Sequence, residues 1–329
     1  MHAPLRLFPA VSLALCALTA HAQYTPSAGQ NAPAAAYEEQ RDERTGAVTL
    51  RKNEAVKVVR DGYGNARGNQ YDLAVDGAFE GQTVLILDQV GNTLVNTRTA
   101  LREKGLNSVV YPGGSTPSPA ELKKALGQSC QLWLISSGVP MLNAEHVAAI
   151  KAFFDAGHGV YIWGDNDPLY ADANRVASAL VPGLRMEGNL AGNQTVGIAV
   201  GQGGKVGLRA GHLITTGLEH LYEGVTIATV QFTAADGRTA ALYDGEGGSA
   251  RSPRLPGGFT PLLYGSAGNL VSVAYEANGK RLLMDGGFTR LAVSWDDAGT
   301  ARYVKNAAAW LVHAERFAET VATNRTARN

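Results

Sequence analysis

Cysteine is almost missing from this chain of 329 residues: there are two, Cys16 and Cys130. Removal of the amino-terminal segment discussed below leaves one. A lone thiol forms no internal disulfide, so stability has to come from an ordinary core. Cys130 opens the apolar run Cys130 to Ile135, which suits a buried, inert thiol better than a nucleophile. An excess of either charge is also missing. Lysine plus arginine and aspartate plus glutamate each number 29, with no basic cluster, which argues against nucleic acid or an anionic membrane surface as the main partner. Past the first 22 residues no apolar run approaches the roughly 20 residues of a spanning helix. Internal repeats and heptads are lacking, and none of the seven histidines falls into a zinc spacing such as HExxH. Glycine, in contrast, is plentiful at 39 residues, which implies many tight turns and close backbone approaches.

The first residues read as a secretory signal. His2 and Arg6 precede an apolar run from Leu7 to Leu18, and Ala20-His21-Ala22 supplies small residues before a cut at Gln23. The mature protein is therefore expected outside the cytoplasm, periplasmic or secreted. Residues 23–47 are rich in Pro, Ala and Gln and then charged, without periodicity, and read as a disordered lead-in. One α/β domain is expected over 48–318, beginning with a small β extension at 48–80, and 319–329 reads as a flexible tail.

The regular pattern starts at Thr83. Val84 to Leu87 is a continuous apolar run, as in a strand covered on both faces. A helix is expected over 92–104, a strand over 108–111, a helix from the Ser118-to-Glu121 capping box, a strand over 132–135 and a helix over 143–156. Next comes Val160 to Trp163, a strand, then the turn Gly164-Asp165-Asn166-Asp167-Pro168, then a helix with Asp167 as N-cap and Pro168 in its first turn. Successive βα units of this length mean a parallel sheet wrapped by helices. After Pro182 the chain is glycine-rich. Strands are expected over 196–200, 225–230, 261–264, 270–275 and 281–284, with an exposed loop over 234–258. Asn278-Gly279 makes a hairpin of the last two strands. A final amphipathic helix runs over 300–317, with Val304, Ala308, Leu311 and Val312 inward.

Four stretches carry a family resemblance: VLILD at 84–88, the strand, elbow and helix at 160–180, HLITTGL at 212–218 and GKRLLMDGGF at 279–288. In these the chain resembles the class I glutamine amidotransferase-like superfamily, in its ThuA-like, non-amidotransferase branch. The resemblance implies a flavodoxin-like parallel sheet with a late antiparallel extension. An active amidotransferase carries a Cys on the elbow and a His-x-Glu pair after a late strand. Here the elbow reads Gly-Asp-Asn-Asp and the late strand runs into Asp285-Gly286-Gly287, so glutaminase chemistry has no nucleophile and no base.

In a parallel sheet the carboxyl ends of the strands form the default ligand crevice. The residues expected there are Asp88, Gln89, Ser136, Ser137, Asn166 and Asp167, joined by Arg290 and Trp295 from the late polar and aromatic stretch. Trp295 beside polar neighbours suits a sugar, or else packs the last helix. Asp165, paired with Asp167 or Asp285, has the composition of an acid/base pair, and His212 is the best-placed histidine. The same aspartates serve equally well as turn and cap residues. Clustered carboxylates would suit Ca²⁺ or Mg²⁺, but no cofactor is required. His146, His158, His220 and His313 are expected to face solvent. Two function classes follow. One is an exported, catalytically dead amidotransferase-like module that binds a carbohydrate or other small polar ligand. The other is an envelope- or carbohydrate-directed hydrolase using Asp165 with Asp167, Asp285 or His212.

Overall fold

Five parallel strands form the centre of the molecule. In four of them alternate side chains are buried on opposite faces, and the fifth lies at the sheet edge with no fully buried residue. The computed structural model describes residues 24–25, 28–29, 36–45, 48–53, 58–92, 94–199, 206–235, 237, 239–241, 257–296 and 298–313. A short hairpin comes first, β1 (Ala36–Arg41) with β2 (Val48–Asn53). Then follow β3 (Thr83–Asp88), α1 (Val95–Glu103), β4 (Asn107–Tyr111), α2 (Pro119–Leu126), β5 (Gln131–Ile135), α3 (Ala144–Asp155), β6 (Gly159–Trp163) and α4 (Ala171–Leu180). The second half holds β7 (Leu184–Ala191), β8 (Thr195–Gly197), β9 (Gly207–Leu208), β10 (His220–Tyr222), β11 (Thr226–Thr233) and β12 (Thr239–Ala241). It closes with β13 (Phe259–Tyr264), β14 (Leu270–Ala277), β15 (Lys280–Asp285) and α5 (Thr300–Leu311).

The main sheet runs β4-β3-β5-β6-β15-β14-β13-β9. Its first five members are mutually parallel, and in chain order they stand 2-1-3-4-5, the flavodoxin-like arrangement. β14, β13 and β9 continue it antiparallel. The fold is therefore α/β, with an antiparallel extension as expected. Asn278 and Gly279 both take positive φ, 52° and 70°, the conformation of a type I′ hairpin turn, and join β14 to β15 in register.

Val84, Ile86, Trp133, Tyr161, Trp163 and Leu283 pack toward α1 and α5, while Leu85, Leu87, Leu132, Leu134, Ile162 and Met284 pack toward α2, α3 and α4. Burial on both faces is why these strands read as unbroken apolar runs. α5 goes further than an amphipathic helix: every residue from Arg302 to Leu311 is buried. Its outer side is covered by the irregular segment 58–80 and by residues 212–218. Asn306 fastens both, accepting from Leu73 N–H at 2.7 Å and donating to Ile214 O and Thr216 O at 3.0 and 2.8 Å. Gly217 has to be glycine at this junction. Its φ is +69°, and a Cβ would stand 2.3 Å from Tyr71 O.

Some expectations need correction. β1 occupies part of the stretch read as a structureless lead-in. Asp167 and Pro168 do not begin α4, which starts at Ala171. Its first N–H groups are satisfied from the loop after β5: Ser136 Oγ accepts from Asp172 and Ala173 N–H at 3.1 Å each, and Ser137 O accepts from Ala171 N–H. His146 is buried, not solvent-facing. Its Nδ1 accepts from Asn143 N–H and its Nε2 meets Pro117 O at 2.7 Å. His313 is buried as well. The signal, the tail at 319–329 and most of the loop expected over 234–258 lie outside the described residues. Among the described residues, no helix is long and apolar enough to cross a membrane.

Candidate functional site

The elbow after β6 is closed. Asp165 has no exposed surface, and three of the four hydrogen bonds to its carboxylate tie the elbow to its neighbours. Oδ1 accepts from Asn166 N–H at 2.8 Å and Thr226 Oγ1 at 2.5 Å, while Oδ2 accepts from Thr289 N–H and Oγ1 at 3.1 Å each. Burial lifts its pKa above the usual carboxylate range, and those bonds only partly counter the shift. Asp167 stays exposed at the turn, where its carboxylate accepts from Tyr170 Oη at 2.9 Å.

Asp285, also without exposed surface, pairs with the wholly buried Arg290 at 2.8 Å and accepts from Gly287 N–H at 3.1 Å. Burial raises its pKa, and the Arg290 guanidinium is the main opposing influence. Arg290 is a structural wedge. It donates to Gly287 O and Glu223 O, and its guanidinium lies 5.7 and 5.5 Å from the ring centres of Trp163 and Tyr303. Asp165 and Asp285 thus hold the same loop, 287–290, from two sides, without meeting as an accessible acid and base.

The crevice at the strand order reversal, between β3 and β5, is filled from within. Gln89 bridges α4 and the β5 end, donating to Asp172 Oδ2 at 2.8 Å and accepting from Ser137 N–H at 3.2 Å. Asp88 accepts from Val90 and Gly91 N–H, an Asx turn. The space left beside Asp88 and Gln89 is about 10 Å³, about one water. Asp88, Gln89, Ser136 and Ser137 thus serve as turn and cap residues.

His212 lies at the other end of the sheet. Its ring meets Trp310 edge-on at 5.3 Å, in the last turn of α5, and Trp310 O accepts from Arg281 Nη1 at the start of β15. Asp285 ends that same strand, about 13 Å away along the chain. His212 cannot serve Asp165 or Asp285. Its Nδ1 instead accepts from Ile214 N–H as a local cap. Burial, and then the nearby Arg281, lower its pKa to about 4, so the ring is neutral at ordinary pH.

The open concavity is elsewhere. A cleft of about 560 Å³ runs between segment 61–72, α1 and the start of α5. Trp295 is buried in the core cluster with α5, the packing role rather than an open sugar face, and shows the cleft only a small part of its ring. Asp296, Asn96, Thr99 and Arg67 border the cleft. Its floor is an ionic lattice centred on Asp72, whose carboxylate contacts Lys104 at 2.9 Å, Lys305 at 2.8 Å and Arg302 at 2.9 Å. Lys104 also binds Asp76 at 2.6 Å, and Lys305 binds Glu103 at 3.2 Å and Asn69 at 2.8 Å. Arg302 completes its fork on Gly217 O and Gly68 O. The charges of the floor are thus paired with one another, while Arg67, Asn96, Thr99 and Asp296 have no side-chain partner among the described residues. Among the expected site residues only Trp295 lies here. The rest of the cleft escapes a linear reading, since it joins residues 61–72 to 295–305. One signal was available: Arg302, Lys305 and Asn306 at i, i+3 and i+4 on a helix otherwise read as packing inward. Among the described residues, no three His, Cys, Asp or Glu side chains converge as a metal site.

No family model and no curated protein matches the chain. Among solved structures it is similar to a GMP synthase subunit protein of Thermoplasma acidophilum, at 11% identity and a TM-score of 0.41, covering 74% of this chain and 99% of that one. It is also similar to the exo-β-1,4-mannosidase Op5Man5 of Opitutaceae bacterium strain TAV5, at 10% identity and a TM-score of 0.36, over 71% of this chain and 36% of that one. A third is Agd3, a carbohydrate deacetylase, at 12% identity and a TM-score of 0.39, over 70% of this chain and 32% of that one. Likenesses at these scores carry no argument about this chain, whose fold class rests on its own strand order.

Proposed function

We propose that the chain is an exported binding module on an amidotransferase-like scaffold, taking a neutral, hydroxyl-rich ligand such as a glycan in the cleft beside Trp295. The observation that carries this reading is the contrast between two regions. The elbow and the strand-end crevice are closed by their own hydrogen bonds, whereas the cleft is open and bordered by uncommitted polar groups. Carboxylates (Asp61, Asp72, Glu103, Asp296) and cations (Arg67, Arg302, Lys305) face the cleft in near balance. Such a lining has little preference for a charged ligand and many donors and acceptors for hydroxyls. Trp295, 9% exposed and packed into the core, adds only a small apolar margin, so the polar border carries the recognition. The hydrolase reading loses its support because Asp165, Asp285 and His212 do not converge on an open site.

A melting-temperature scan against neutral oligosaccharides, acidic sugars, Ca²⁺ and Mg²⁺ tests the proposal. At least one neutral glycan is expected to raise the melting temperature, and Arg67→Ala with Asp296→Ala to abolish that rise. A response only to the acidic sugars or to a metal ion would overturn it.

A further inference from the structure

The main sheet has two edges of different character. One is β9, only two residues long, and the other is β4, with five residues in an uninterrupted register on β3. Asn107 N–H donates inward to Gln82 O at 2.8 Å, so Asn107, Val109 and Tyr111 direct their main-chain groups toward β3. The main-chain groups of Ser108 and Val110 point outward, and among the described residues nothing hydrogen-bonds them. β4 has no lysine, no internal proline and no bulge. It is five residues long, and Arg98 Nε donates to Ser108 Oγ at 3.3 Å, leaving the main-chain edge itself uncovered among the described residues. Val109 is 47% exposed at its centre.

We infer that β4 is a self-association edge, taking the β4 of a second copy antiparallel about a two-fold axis at Val109. The register is set by the outward groups. Ser108 and the second copy's Val110 exchange two main-chain hydrogen bonds, and the symmetric pair exchanges two more. Val109 then faces its own copy as a non-hydrogen-bonded pair, the closer of the two cross-strand spacings. Charge is self-complementary on this face. A groove of about 360 Å³ beside β4 is lined by Val109, Tyr111, Glu121 and Lys124. The antiparallel relation sets the Glu121 end of one α2 level with the Lys124 end of the other. A different partner strand would meet the same ladder without this matching of opposite charges.

Sedimentation velocity on the whole protein from about 1 to 200 μM tests the inference, over the range where an interface this small reports itself. The expected result is a concentration-dependent rise toward twice the chain mass. Val110→Pro removes an outward N–H without touching the ladder to β3, and Val109→Lys adds a charge at the axis; each should leave the protein monomeric. If Val110→Pro fails to fold, Val109→Lys, which alters one exposed side chain, decides. A wild-type protein that stays monomeric throughout, or a dimer that persists in Val109→Lys, overturns the inference.

Discussion

Asp72 accepts a hydrogen bond from Arg302 Nε at 2.9 Å, across 230 residues of sequence. This pair fastens the amino-terminal segment to the last helix and builds the floor of the cleft. Asp72 and Lys104 are both buried, and each of the three cations around Asp72 depends on it for part of its compensation. Asp72→Asn leaves those charges short of a partner. The expected loss is about 3–5 kcal/mol of unfolding free energy, as for other broken buried ion pairs. Urea unfolding of the variant measures it, and a change below about 1 kcal/mol would contradict the role given to Asp72.

His212 supplies a pH signature. Its ordinary value of 6.5 falls to about 4 in the fold because the ring is buried beside Arg281. A lowered native pKa means stability that is present above pH 6.5 and lost as pH falls toward 4, by about 3 kcal/mol at most. His212→Asn keeps a side chain able to cap Ile214 and removes the titration. The variant should lose less stability than wild type between pH 6.5 and 4, as read from paired unfolding curves. Parallel curves would place the titration elsewhere.

Asp165 acts in the opposite sense. Burial raises its pKa, so the native protein holds this proton at a pH where the unfolded chain has released it. The corresponding stability is present below the unfolded pKa and lost as pH rises through the native one. Asp165→Asn carries a neutral side chain at every pH. Wild type should therefore gain on the variant as pH falls from 7 toward 4. Melting temperatures of the two proteins across that range test this, and a gap moving the other way would refute it.

The architecture was legible in the sequence for local reasons. Runs such as Val84 to Leu87 and Leu132 to Ile135 announce strands buried on both faces, and Ser118 with Glu121 announces a helix start through bonds three residues apart. The elbow's chemistry was not legible, because the roles of its residues are long-range. Asp167 looked like an N-cap, but the cap of α4 comes from Ser136, more than thirty residues earlier. Arg290 looked like a ligand-binding residue and is a buried counter-ion. The cleft was hidden for the same reason. Asp72 is one aspartate in an irregular stretch until α5 brings Arg302 and Lys305 to it.

Cys130 tests the core on that side of the sheet. Burial raises the thiol to about 11, and its Sγ lies 3.3 Å from Thr83 O. In the mature protein, where Cys130 is the one thiol, the half-buried and raised group should react with a thiol reagent at pH 8 far more slowly than a free cysteine. Denaturant should make that reaction prompt. Rapid labelling of the native protein would show an accessible thiolate and contradict the packing described.

The central claim is that a ligand goes to the cleft and not to the elbow. Calorimetric titration with the neutral glycan that most raises the melting temperature addresses this directly, using Asp296→Ala, Asn96→Ala and Asp165→Asn beside wild type. The cleft variants should each weaken binding about tenfold, near 1.4 kcal/mol, while Asp165→Asn should bind within about twofold of wild type. Binding lost in Asp165→Asn and kept in both cleft variants would contradict it.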